Sequence, residues 1–350
     1  MQIVISASSS SYIEPFRIAV IGAGTIARNA HIRAALSLRD VQLTAIVDPV
    51  IERAKELAKE IPGARAASAI SQIGGMIDGA IVCVPNHVHA TVAQECIDLG
   101  IPVLVEKPMG RDVADAIAIR DSARRRGVTV APGYMTRFDP RLQFIRQLIQ
   151  KQEFGRVERF VVQNGSVAGY SPMSGYNLTV ESAGGGVLVV LGSHLLDRIL
   201  WWFGPPQSFE YNDDSEGGPE SHATASLFYD NGSFQFTGCL RVSKAAPLPC
   251  GAVLDTQLGT ILSRDGADSS IEFHRHSPSR IVTDVRYPSV GKRAPSPYEL
   301  QLRGFIDSVR GGTPPMVGAE DGILVHQLVS AFYANRGAGR VAFEYEQVLT

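Results

Sequence analysis

Residues Ile18 to Ala27 read IAVIGAGTIA, a short apolar run that passes at once into Gly22, Gly24 and Ala27. The run has the length and composition of a buried parallel strand, and the small residues suit a tight turn opening a helix. Gly22 permits the turn. Gly24 lets the main chain approach a pyrophosphate, which the helix N-terminus beginning at Thr25 and Ile26 would favour electrostatically. Ala27 lets helix and strand pack closely. A glycine turn alone is weak evidence and needs support from the rest of the chain.

Three later segments repeat the pattern of an apolar strand ending in polar groups. LTAIVD closes on Asp48, 24 positions after Gly24, near the spacing of about 20 expected of a carboxylate that binds a ribose. AIVCVPNHVHA runs into Pro85, Asn86, His87 and His89, and VLVEKP ends in Glu106, Lys107 and Pro108. Strands are expected near 16–21, 42–47, 79–84, 101–105 and 128–132, with helices over 26–37, 50–60, 88–99 and 112–126. This alternation predicts βαβ units in a doubly wound parallel sheet, whose polar strand ends share one ligand-binding rim. Gly100 and Gly127 stand where helix-ending glycines belong.

After Gly133 the rhythm changes. RFDPRLQFIRQLIQKQEFG suggests a helix ending at Gly155, and RVERFVVQNGS a strand. SHATASLFYDNGSFQFTGCLRV alternates and turns at Asn231-Gly232, a strong hairpin signal. AVLDTQLGTILSRDGADSSIEFHRH continues the theme. Helices are expected over Tyr298 to Arg310 and Ala319 to Arg336, and RVAFEY forms a last strand. The expected architecture is therefore a loose extension over 1–14, an α/β Rossmann domain over 15–133, and an α+β domain over 134–350 built on a largely antiparallel open sheet.

Composition narrows the function. The 350 residues carry a net charge of −2 without a basic block, which disfavours nucleic acid as a partner. Eight histidines lack zinc-ligand spacing, so no metal is expected, and four dispersed cysteines suit a reducing compartment. Neither a long apolar span nor a basic secretory start is present, so a cytoplasmic protein without a membrane partner is expected.

The oddest segment is GGGVLVVLGSHLLDRILWWFG, where Gly184 to Gly186 precede an almost wholly apolar, hence buried, helix carrying His194. A histidine in such a helix is commonly a core residue. The triple glycine, which permits close approach of a backbone or ligand, and the first domain's need for a partner across its crevice favour a functional role.

GAGTIA, the PNHVH loop, VEKP and the glycine-rich His helix, in this order, resemble the glucose-fructose oxidoreductase / inositol dehydrogenase / MocA family. YMTRFDP resembles the opening of that family's second domain, and YELQLRGFIDSVRGGTPP with EDGILVHQLVSAFY its closing helices; the likeness spans about 16–346. It implies hydride transfer between NAD(P) and a secondary alcohol or ketone of a sugar, polyol or related compound. It implies Lys107 and His194 as the catalytic pair, both at the substrate, and Pro85, Asn86 and His89 beside the dinucleotide. The family's usual acidic residue four positions before the histidine is here Val190. Positions i and i+4 share a helix face, so an acid there could orient the imidazole or pass a proton, and valine can do neither. Asp197 is a candidate replacement, or else part of a local network with a nearby base.

In this reading the Lys107 cation stabilises a developing alkoxide, and His194 acts as base in oxidation or acid in reduction. Lys107 donates the proton instead if His194 is left unsupported, and Tyr134 and Tyr176 are further candidates at the substrate. Arg137 either binds a substrate carboxylate or pairs structurally. Glu106 anchors the turn or lies toward the nicotinamide. Asp48 favours NAD(H) by repelling a 2′-phosphate, while nearby Arg53 leaves NADP(H) open. A homodimer or homotetramer through the second sheet is expected. The alternative function is a nucleotide- or sugar-sensing regulator weakened by Val190.

Overall fold

The computed structural model describes residues 14–167, 184–266, 270–276, 282–285 and 294–345. Six strands form the first sheet: β1 (Phe16–Ile21), β2 (Val41–Val47), β3 (Arg65–Ala67), β4 (Gly79–Val82), β5 (Val103–Val105) and β6 (Val130–Pro132). Their order is β3-β2-β1-β4-β5-β6, and every pair is parallel. The order reverses beside β1, which defines the crevice where this fold binds ligands. Ile18, Ala19, Val20, Ala80, Ile81 and Val82 are wholly buried, as strands covered by helices on both faces must be.

The covering helices are α1 (Ile32–Ser37), α2 (Ile51–Ala58), α3 (His89–Asp98) and α4 (Val113–Arg126). A π-turn over Ala27–His31 precedes α1. Asp112 caps α4 by accepting the Asp115 N–H, and Gly127 ends it in the left-handed conformation. Gly100, with φ of 73°, also has the conformation expected of it.

In the second half, α5 (Pro140–Lys151) precedes β7 (Val157–Gly165). The helix stops before Gly155, with Gln152 taking the left-handed turn at φ of 52°. A π-turn over Leu188–Gly192 leads into α6 (Ser193–Phe203). Next come β8 (Ser208–Asp213), β9 (His222–Asp230), β10 (Gln235–Ser243), β11 (Leu248–Thr256), β12 (Gly259–Arg264), β13 (Ser270–Arg275) and β14 (Val282–Val285). With the short β15 (Val341–Ala342) on the β8 edge, nine described strands run in the order β14-β13-β12-β11-β7-β10-β9-β8-β15. The sheet is antiparallel except where β10 runs parallel to β7. The expected hairpin joins β9 to β10 through Asn231 and Gly232. Of the strand expected over 340–345, only two residues pair.

Two closing helices, α7 (Pro297–Gly311) and α8 (Ala319–Ala334), reach back to the first sheet. Leu302, Phe305 and Ile306 of α7 join the cluster containing Ile18, Val20 and Ile46, while Ala319 and Ile323 of α8 join the cluster on the opposite face. Arg303 and Arg310 also hold Asp40. These contacts tie the second half to the first sheet, with Phe160, Val162, Leu240 and Leu254 turning one face of the larger sheet toward α6 and α8.

Candidate active site

Each main strand of the first sheet delivers its polar group to the same rim. At the end of β1, Gly22 has φ of 98°, and a Cβ there would lie 2.6 Å from the Cys83 carbonyl oxygen, so only glycine fits. A Cβ on Gly24 would meet nothing within 4 Å; this glycine and Thr25 are exposed at the start of the helical turn, with Ile26 half-buried behind them. Asp48, at the end of β2, is buried. One of its carboxylate oxygens accepts the Ala23 N–H at 2.9 Å and the other the Val50 N–H at 2.9 Å. The carboxylate is thereby locked against the glycine turn, with acceptor capacity left for hydroxyl donors. An open glycine turn, an exposed helix start and an acceptor-only carboxylate fit the ribose and pyrophosphate of a dinucleotide.

The β4 loop separates its two histidines: His87 is exposed and His89 buried. The His89 Nδ1 lies 2.7 Å from the Pro108 carbonyl oxygen and its Nε2 2.7 Å from that of Val84. Burial pushes the ring's pKa down, with both carbonyls opposing. His89 thus braces the β4 and β5 loops from within, where both ring nitrogens are occupied. Pro85 is half-buried and Asn86 buried at the head of this loop.

At the end of β5 the buried Glu106 carboxylate has one oxygen 2.7 Å from His31 Nε2, while the other accepts the Lys107 N–H at 3.0 Å. Burial pushes the Glu106 carboxyl up, but His31 and Lys107 outweigh it and hold it below the usual range. The Lys107–Pro108 bond is cis. Lys107 crosses the cleft and donates from Nζ to the Val190 carbonyl at 2.7 Å. Burial pushes its pKa down and the Glu106 charge opposes. The β5 lysine thus reaches the residue one turn before His194.

His194 lies in the first turn of α6, edge-on to the Tyr134 ring with centroids 6.3 Å apart and planes at 88°. Its Nδ1, the Tyr134 hydroxyl and Thr136 Oγ1 are buried and find no hydrogen-bond partner among the described residues. Burial, then the charges of Lys107 and Arg198, push the imidazole well below its ordinary pKa. The Tyr134 phenol is driven up, first by burial. Both rings are therefore neutral near pH 7.

Asp197 does not support the imidazole. Arg137 Nε lies 3.1 and 3.0 Å from its two oxygens, and Arg137 Nη2 donates to it at 2.7 Å and to Asp321 at 2.9 Å. The Arg137 and Asp197 side chains are 5% and 0% exposed, so neither reaches a ligand without opening the core. Burial pushes the Asp197 carboxyl up to about 6 against the pull of Arg137. Of the two readings of Arg137, the geometry displays the structural one. Arg198, one turn beyond His194, pairs with Asp265 at 2.9 Å.

Three residues of the site gave no sequence signal strong enough to single them out. His31 faces Glu106 from the first π-turn. Glu220 caps the His194 helix: its carboxylate accepts the Gly186 and Leu188 N–H groups at 3.0 and 2.9 Å and the Tyr333 hydroxyl at 2.9 Å. The triple glycine makes room for this, since a Cβ on Gly186 would lie 2.1 Å from the Glu220 carbonyl oxygen. The close approach expected there is thus made by a backbone. Lys244, just beyond β10, has its pKa lowered to about 8 by burial, with Glu220 opposing and Lys107 reinforcing. Tyr176 lies outside the described residues. Among the described residues, no cluster of three or more metal-ligating side chains occurs, and no helix is long and apolar enough to cross a membrane.

Fold and rim together define a dinucleotide-binding Rossmann protein whose second domain closes on the crevice with a histidine helix. Residues 16–134 match the GFO_IDH_MocA family, described as an oxidoreductase family with an NAD-binding Rossmann fold, and residues 142–263 match its C-terminal domain. The chain belongs to the Gfo/Idh/MocA oxidoreductase family. It is 25% identical to D-glucoside 3-dehydrogenase of Escherichia coli, over 95% of this chain and 98% of that protein. It is 28% identical to the rhizopine catabolism protein MocA of Rhizobium meliloti over 54% of this chain, and 30% identical to an uncharacterised oxidoreductase of Synechocystis over 56%. Of these two relatives it spans 57% and 53% of the length. The fold is shared with levoglucosan dehydrogenase, solved with NADH and levoglucosan, at TM-score 0.83 and 17% identity, covering 95% of this chain and 100% of that one.

Proposed function

We propose that this chain is an NAD(P)-dependent oxidoreductase that moves a hydride between nicotinamide and a secondary alcohol or ketone of a sugar, polyol or sugar-like compound. The observation that carries the reading is the convergence of Lys107, from the Rossmann rim, and His194, from the second domain: Lys107 Nζ donates to the carbonyl one turn before His194, and its charge bears on the imidazole. D-glucoside 3-dehydrogenase, matched over nearly its whole length, supports the substrate class.

The dinucleotide, when bound, supplies the hydride chemistry. The protein must hold it, orient the alcohol and manage one proton. The glycine turn and Asp48 would hold the adenosine end, and the acceptor-only carboxylate favours ribose hydroxyls over a 2′-phosphate, hence NAD(H). The Lys107 ammonium would stabilise an alkoxide as it develops. His194, neutral and with no acidic partner among the described residues, suits a hydrogen-bonding role better than storage of a proton, because an imidazolium there would face Lys107 and Arg198. Lys107, whose pKa burial lowers, is the better proton carrier in this chain.

The same valine supports a second reading, a sensor that binds dinucleotide and sugar without turnover. The test is the absorbance of the reduced cofactor with NAD(H) or NADP(H) and a panel of sugars and polyols. Turnover that Lys107→Ala cuts by about 10²–10³, with cofactor binding retained, supports the enzyme. Cofactor binding without turnover across the panel supports the sensor, and turnover indifferent to Lys107 overturns the mechanism.

We also propose a cytoplasmic homodimer or homotetramer formed through the outer face of the larger sheet. Cys239, Val161, Val253 and Leu262 align across four adjacent strands and are only half-buried. A monomer by light scattering would overturn this.

A further inference from the structure

We propose that His31 is a positioning residue for Lys107, acting through Glu106. The inference rests on the role given to Lys107 above and extends it to a residue 76 positions away in sequence.

Lysine reaches its target through four rotatable bonds, so its placement depends on what fixes its two ends. At the far end, Nζ is held by the Val190 carbonyl at 2.7 Å. A carboxylate on residue 190 would have supplied a charge there, and a carbonyl supplies only a dipole. At the near end, the Lys107 N–H is held by Glu106, whose other oxygen lies 2.7 Å from His31 Nε2. His31 is 1% exposed and its ring is packed edge-on against Tyr298, with centroids 5.3 Å apart. An ionised Glu106 only accepts hydrogen bonds, so the facing nitrogen of His31 is the donor. The imidazole therefore sits on a fixed element and gives a buried carboxylate the hydrogen bond that keeps it both oriented and charged.

That charge matters to Lys107. Among the described residues Glu106 is the anion that bears on it; His89 from α3, His194 from α6 and Lys244 beyond β10 also bear on it, and none carries negative charge. Beside Glu106, the Cys83 thiol and the Tyr298 phenol stay neutral because burial pushes both up. Removing the His31 donor leaves burial to drive Glu106 toward its neutral acid. Lys107 then loses its counter-charge and sheds its proton at lower pH.

The experiment is an NMR titration of the full chain labelled with ¹³C at the lysine ε-carbons, with the Lys107 signal assigned by its loss in Lys107→Met. His31→Leu fills the space but removes the donor, and His31→Gln restores one at the position of Nε2. The expected result is a Lys107 midpoint lower by about one pH unit in His31→Leu and near the parent value in His31→Gln. Glu106→Gln, which keeps the size and removes the charge, reproduces the shift if His31→Leu does not fold. A midpoint unmoved by both His31→Leu and Glu106→Gln, or moved equally by the Leu and Gln variants of His31, overturns the inference. With a turned-over substrate, His31→Leu lowers kcat about tenfold at unchanged KM for cofactor, and the alkaline limb of the profile moves to lower pH. Loss of turnover in Lys107→Ala alongside an unmoved midpoint in the His31 and Glu106 variants sinks this inference alone, whereas turnover indifferent to Lys107 sinks the catalytic reading instead.

Discussion

Replacing Asp197 by Asn tests whether the Arg137 clamp is scaffold or ligand site. Arg137 makes three short contacts to Asp197 and one to Asp321, and the Arg137 and Asp197 side chains are almost completely buried. Breaking a buried ion pair from one side costs about 3–5 kcal/mol, chiefly because the surviving charge stays buried. Asp321 still answers Arg137 here, so the lower end applies: about 3 kcal/mol, a factor on the order of 10² in the folding equilibrium. Urea denaturation of the folded chain would read this as a lower midpoint at unchanged slope. Arg137→Met should lose a similar amount, while Arg137→Met combined with Asp197→Leu should recover most of it, since a buried pair can often be exchanged for apolar residues at little cost. An Asp197→Asn midpoint indistinguishable from the parent would refute the accounting. So would an Arg137→Met variant that keeps its stability but raises KM for a carboxylate-bearing substrate, because Arg137 would then face a ligand.

Asp48→Ala should weaken NADH binding about tenfold or more, by removing the ribose acceptor together with the group that holds the Ala23 and Val50 N–H groups; fluorescence titration checks it. His326 is buried on α8, accepts the Gly110 N–H at 3.3 Å, and has its pKa lowered to about 4 by burial. A folded pKa below the unfolded value of about 6.5 means that its stabilising effect is complete above that pH and is lost as pH falls toward 4. His326→Gln should flatten the urea midpoint between those limits, and an unchanged slope would count against it. Asp40 gives a test of the same sign at lower pH: hydrogen bonding to Arg303, reinforced by Arg310, holds its carboxyl well below the carboxylate range. Its contribution is present above about pH 4 and is lost as pH falls through the depressed value, so Asp40→Asn should remove part of the acid sensitivity of unfolding.

The first sheet was legible because parallel strands buried on both faces read as continuous apolar runs; β1, β2 and β5 end just before Gly22, Asp48 and Glu106, while β4 stops at Val82, two residues short of its expected end. β3 was missed because Arg65–Ala67 has no such run: it is three residues long, and beyond its pairing with β2 only the small Ala67 enters the core. The rim residues Gly22, Asp48, Glu106 and Lys107 were legible from strand ends, and the departure at Val190 from helical spacing and family resemblance. What faces these residues was not. His31 meets Glu106 across 75 positions, Arg137 meets Asp197 across 60, and Glu220 meets Gly186 across 34. Local periodicity carries no record of such distances. The helix after the triple glycine did offer a hint, since its start lacks a side-chain cap of its own and so requires an outside acceptor. The π-turns before α1 and α6 leave no pattern that distinguishes them from ordinary helix.

The exchange of an acid for Val190 separates two properties that the site would otherwise combine. The groups proposed to hold the dinucleotide, from the glycine turn to Asp48, lie on the first domain and owe nothing to residue 190. Lys107 keeps a partner because the backbone carbonyl of residue 190 remains when its side chain changes. Among the described residues the imidazole has none at Nδ1: Asp197 is committed to Arg137, and the charges bearing on His194 are those of Lys107 and Arg198. Binding and orientation therefore survive the exchange, and only the proton's destination is altered. It follows that affinity for a dinucleotide cannot separate an enzyme from a sensor built on this chain. The pH dependence of turnover can, because a reaction whose proton is carried by Lys107 should follow the ionisation of a buried amine rather than that of an imidazole.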